Sequence, residues 1–116
     1  MTQHAGLSEE QWAPHGRDRQ ILMIANEMNR AGKLSRADDT ERRRNAYARV
    51  LRLTDLTVAV NGAHGLRREL LRWRDLVASL YLQDQPDARA HRSALGALLL
   101  LTPESARQRR HLLREV

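Results

Sequence analysis

The spacing of apolar positions divides the chain into helical segments. Between Arg17 and Ala31, the residues Ile21, Ile24, Ala25 and Met28 recur at intervals of three and four, which lays them along one face of a helix. Gly32 follows where a helix end takes a residue with positive φ. Upstream, in "LSEEQW", Ser8 and Gln11 have the spacing of a capping box, and Pro14 and Gly16 then break the turn. Residues 1–16 thus read as an arm, either mobile or docked as a cap.

Ser35 and Asp38 repeat the capping-box spacing, and Asp38, Asp39 and Glu41 place negative charge over the unpaired amides of a helix start. The helix they open should run from about Arg36 to Val60, and "NGAHG" ends it with a link so short that the next helix must fold back. In "GLRRELLRWRDLVASLYLQ", Leu66, Leu70, Trp73, Val77 and Leu80 form the seam of a helix packed lengthwise on another. Leu71, Ala78 and Leu82 make a second apolar side, leaving only a wedge with Arg68, Arg72, Asp75 and Ser79 free of apolar residues. Such a helix is either central in its own bundle or partly covered by a second copy.

Asp84 or Gln85, just ahead of Pro86, should open a further helix whose stripe runs through Ala88, His91, Leu95, Leu98 and Leu99. Leu100 and Leu101 extend it until it is apolar nearly all round. Thr102, Pro103 and Glu104 supply a cap, a first-turn proline and a first-turn acid for a terminal helix in "TPESARQRRHLLREV", with Ala106, Leu112 and Leu113 inward. The pattern predicts an all-α fold, a single-domain antiparallel helical bundle of four main helices with an amino-terminal turn in addition. Residues 17–116 form the bundle domain and residues 1–16 the arm.

Composition narrows this picture. A chain of 116 residues supports one domain with a modest core, and with no Phe, two Trp and two Tyr that core must be aliphatic. Without cysteine there are no disulfides, thiolate metal sites or cysteine nucleophiles. The polar opening "MTQHAGLSEEQWAPHG" lacks the basic start and apolar stretch of a secretion signal, and no apolar run reaches membrane-spanning length. The expectation is a cytoplasmic protein with no membrane contact.

The net charge is +6, and Lys33 is the one lysine among 20 cationic residues. Arginine suits bidentate contacts to phosphate or carboxylate, so Arg42, Arg43, Arg49, Arg52, Arg72, Arg107, Arg109 and Arg110 are candidate phosphate contacts. On a helix the triplet Arg42, Arg43 and Arg44 is spread at about 100° per residue and cannot make one flat surface. The excess charge is distributed: residues 36–62, 63–82 and 103–116 each carry a net +2. A phosphate-tracking surface would require these contributions to converge. Placing Gly62 at the turn of a helix-turn-helix fails, because Arg68 stands where the second helix should bury an aliphatic residue.

Catalytic chemistry has no clear carrier. The histidines His4, His15, His64, His91 and His111 include no pair spaced to share a helical face, so no metal site is expected. His91 alone sits on an apolar stripe, where it reads as a core histidine bonded to a carbonyl before it reads as a proton donor. No serine has nucleophile-elbow glycines, and the paired acids Glu9–Glu10 and Asp38–Asp39 sit at helix starts where the dipole explains them. The expectation is a non-enzymatic protein without cofactors, acting through contacts with a protein partner or a second copy of itself. Its candidate interface comprises Trp12, as an exposed anchor on the arm, with Leu71, Ala78, Leu82, Leu100 and Leu101. The alternative is a basic subunit of a nucleic-acid complex, gripping phosphates nonspecifically.

Overall fold

The computed structural model describes residues 7–114. The first six residues of the arm, His4 among them, and residues 115–116 of the terminal segment lie outside the described residues. All regular structure among the described residues is helical: α1 (Glu9–Trp12), α2 (Gly16–Gly32), α3 (Thr40–Val60), α4 (His64–Leu82), α5 (Ala88–Leu99) and α6 (Pro103–Leu113). Two short 3-10 turns, Ala13–His15 and Ala37–Asp39, join α1 to α2 and lead into α3.

Four helices close a ring, with α2 beside α3, α3 beside α4, α4 beside α5, and α5 beside α2. Cross-links fix their directions. Gln20 near the start of α2 accepts from Asn61 at the end of α3, while Arg43 near the start of α3 donates to the Leu34 carbonyl just past α2. Asp55 and Arg74 pair across α3 and α4, as do Arg44 and Asp84 one end further on. The ring is therefore up-down-up-down, as the short links require. A fifth full helix corrects the expected count of four: α6 lies outside the ring against α5 and α2. Its start is fixed by a capping box between Thr102 and Ser105 with Pro103 in the first turn, so the chain cannot run on from α5 as one helix.

Inward faces follow the apolar periodicity. Ile21, Ile24, Ala25, Met28, Leu53, Leu70, Val77, Leu95, Leu98 and Leu99 are fully or almost fully buried. Leu66, expected on the seam of α4, is only partly buried against this core. No helix among the described residues is long and apolar enough to cross a membrane.

Three local expectations change. Gly32 does not adopt positive φ; Gly16 does, at 74°. Gly32 is glycine for a packing reason, since a Cβ there would stand 2.7 Å from His91 Nε2. Asp39, not Asp38, reaches back to the amide of Arg36, because the 3-10 turn moves the start of α3 to Thr40. Pro86 precedes the cap of α5 instead of occupying its first turn, since Asp87 is the residue that accepts from the Ala90 amide.

The largest correction concerns the arm. Trp12 is no exposed anchor: it is fully buried, and its indole N–H donates to Thr57 Oγ1 at 2.9 Å. Gln20 holds the Trp12 carbonyl at 3.0 Å, and α1 packs on α3. From residue 7 onward the arm is docked as a cap.

Candidate functional site

Two of the expected interface leucines stand out on α4. Leu71 is 51% exposed and Leu82 is 73% exposed, with Ala78 half-buried between them on the flank nearer α3. On the opposite flank Leu76, which the periodicity did not single out, is 50% exposed. It borders a groove between α4 and α5 whose other walls include Trp73, Ala97 and Leu101, with Glu69 and Arg72 on the rim. Leu100, 61% exposed, caps the end of α5, while Leu101 is half-buried against the core. The apolar side chains expected to form one surface are thus split, and the α4/α5 groove gathers Leu76, Ala97 and Leu101. One signal for Leu76 was available: it is an aliphatic residue beside Val77 that the core seam does not use.

The arginines largely serve the fold. Arg43 is buried at 3% exposure and donates to the carbonyls of Leu34 and Asp84 at 3.0 and 2.9 Å, so it is withdrawn from any phosphate outside. Arg49 pairs with buried Glu27 on α2 at 3.1 Å. Arg42 pairs with Asp39 and holds its carboxyl below the usual value, mainly through that hydrogen bond. Arg52 donates to the Leu7 carbonyl and Arg109 to the Gly96 carbonyl. Arg72 and Arg107 sit within salt-bridge distance of Glu69 and Glu104 on their own helices, and Arg110 is exposed. Those on α3 bond to Leu7, to Glu27 on α2, to Asp39 at the α3 start or to the links at Leu34 and Asp84, whereas those on α6 lie beyond α5 and α2. The structure does not bring the eight to one face.

At the end of the bundle where α2 stops and α5 starts, His91 is 3% exposed and its Nδ1 lies 2.7 Å from the Tyr47 hydroxyl. Burial pushes the Tyr47 phenol up to about 12. With that phenol as donor, Nδ1 accepts and the ring proton rests on Nε2. Nε2 is buried without a hydrogen-bond partner, although the Met28 carbonyl lies on its side of the ring. No group of three or more histidine, aspartate and glutamate side chains able to hold a metal occurs among the described residues. Compared with known proteins, the chain matches no family model, no curated protein and no solved structure.

Burial also pushes the His91 imidazole below its ordinary value of 6.5, with the Met28 carbonyl opposing. A group with a depressed folded-state pKa binds fewer protons folded than unfolded, so stability is intact above about pH 6.5 and is lost as pH falls below it. The expected slope is up to about 1.4 kcal/mol per pH unit, ending at the folded-state pKa. Urea titrations at neutral and mildly acidic pH should show it, and His91→Gln should flatten it. An unchanged slope in that variant would assign the effect to other groups.

Proposed function

We propose that this protein is a non-enzymatic helical module that works by protein contact, pairing with a second copy of itself through the α4/α5 groove. The observation that supports this reading is the exposed Leu76 on the apolar α4/α5 groove, together with the exposed Leu100 that adjoins the groove's Leu101 in sequence. Its rim favours a two-fold partner. Glu69 and Arg72 stand on one edge, one turn apart, so a copy related by a two-fold axis can set each against the other's opposite charge. A cytoplasmic setting belongs to the same proposal.

Magnitudes set the strength of such a pair. Completing the burial of a half-exposed leucine contributes about 1 kcal/mol, so Leu76 and Leu100 from two copies supply about 4 kcal/mol. Association costs at least about that much, leaving the surplus to Leu101, Ala97 and the rim charges. The dimer should be weak, with a dissociation constant on the order of 1 mM. Sedimentation equilibrium over a wide concentration range should show monomer and dimer in exchange. Leu76→Gln with Leu100→Gln should leave only monomer while changing stability by no more than about 0.5 kcal/mol per site. A wild type that stays monomeric at millimolar concentration defeats this reading. The nucleic-acid alternative needs convergent arginines, and no single observation favours it.

A further inference from the structure

The link between α3 and α4 opens with Asn61 followed by Gly62. Asparagine is thermally labile, and a glycine after it leaves its side chain open to attack by the next backbone nitrogen. Gly62 is required neither by the backbone nor by packing: its φ is not positive, and a Cβ there would meet nothing within 4 Å.

The fold holds Asn61 by its amide. Its backbone N–H and its Nδ2 both donate to the Thr57 carbonyl, at 3.2 and 2.8 Å, and Nδ2 also donates to Gln20 Oε1 at 2.8 Å. Gln20 is buried at 1% exposure, and its own Nε2 donates to the Trp12 carbonyl at 3.0 Å. The orientation of each amide therefore fixes the next. Because Gln20 must turn its nitrogen to Trp12, its oxygen faces Asn61, which must present nitrogen in turn. An oxygen in place of Asn61 Nδ2 would face two acceptors, the Thr57 carbonyl and Gln20 Oε1. Gln20 could satisfy it only by turning over, which would set its oxygen against the Trp12 carbonyl. Either way the relay loses a bond at a buried amide, where an unmet partner is costly.

We propose that Asn61 is a site of slow self-modification, in which its amide becomes a carboxylate and the docked cap formed by α1 is loosened. The Gly62 amide nitrogen gives up its proton to solvent base and bonds to Asn61 Cγ, while the Cγ–Nδ2 bond breaks and ammonia leaves. Water then opens the resulting cyclic imide at either carbonyl, giving aspartate or the isomer whose backbone runs through Cγ. Cγ reaches the Gly62 nitrogen only after Nδ2 has left Thr57 and Gln20. Docking of the cap orders Gln20 and so slows the reaction, and by reciprocity the product opposes docking. The site is apart from the α4/α5 groove and does not depend on pairing there.

The test incubates the full chain, folded or in urea, at mildly alkaline pH and follows amide-to-acid conversion at residue 61 by peptide mass spectrometry. Each hydrogen bond holding Nδ2 should slow conversion by up to about tenfold, so the chain in urea should react about 10 to 100 times faster than the folded protein. Gln20→Leu should speed the folded protein by about tenfold, whereas Leu95→Ala, which empties a buried site elsewhere, should not. Gly62→Ala should slow conversion in both states. Hydrogen exchange at the Trp12 and Ala13 amides, which close α1, should be faster in Asn61→Asp than in Asn61→Ala, since alanine removes the same donor without adding an oxygen. Equal rates in the folded and unfolded wild type overturn the proposal, as does an acceleration by Leu95→Ala that matches Gln20→Leu. So does α1 exchange in Asn61→Asp that is no faster than in Asn61→Ala.

Discussion

Trp12→Ala should lower the stability of the fold by about 4 kcal/mol, the cost of emptying a fully buried aromatic site. That is a large part of the 5–15 kcal/mol or so that holds a domain of this size together. The indole also donates to Thr57 Oγ1, and the Trp12 carbonyl receives Gln20 Nε2. α1 has four residues and cannot persist as a helix unsupported, so losing the ring should release the segment from residue 7 to the start of α2. Urea denaturation would report this as a lower midpoint with a smaller slope, because less surface remains to be exposed on unfolding. Trp12→Phe keeps most of the packing and loses only the donor. Thr57 still donates to the Leu53 carbonyl, so that variant should cost about 1–2 kcal/mol. A loss below about 1 kcal/mol in Trp12→Ala would mean that the arm is not docked in solution.

Arg43→Met should cost about 3 kcal/mol. Met retains the apolar stem but deletes two hydrogen bonds from a charged donor, each of which contributes about 1.5–3 kcal/mol, and water recovers part of the loss at these loop carbonyls. The two acceptors belong to different links, Leu34 between α2 and α3 and Asp84 between α4 and α5, so Arg43 ties both links to one point on α3. Hydrogen exchange should therefore accelerate around residues 34–36 and 83–87 together. Arg43→Lys should recover less than half of the loss, since a single ammonium cannot span two carbonyls that a planar guanidinium reaches from separate nitrogens. Full recovery in the lysine variant would show that charge alone matters there. The partners are backbone dipoles, so added salt should weaken this clamp less than the exposed Arg44–Asp84 pair.

The inward faces were legible because they depend on short intervals. Leu70, Trp73, Val77 and Leu80 are buried where their spacing puts them, and Thr102 caps α6 as its neighbours Pro103 and Glu104 suggest. Trp12 was misread because its neighbourhood in sequence is polar, while its actual neighbour, Thr57, lies 45 residues away. Tyr47 and His91 are each visible as members of an apolar stripe, yet nothing local says that they meet. Leu76 falls outside the seam spacing, and its place on the α4/α5 groove depends on how α5 packs beside α4.

The sequence by itself determined the helices, their buried faces and the antiparallel path, because each rests on contacts within a turn or on links too short to allow another route. Tertiary structure alone decided the rest: that Trp12 docks, that Gly32 is needed beside His91, and that Arg43 becomes an internal clamp while Arg110 stays in water. An arginine or tryptophan reaches several ångströms from its backbone, and its partner is whichever group the packed helices bring within that reach. Such partners are set by distances between elements, which no periodicity along the chain records.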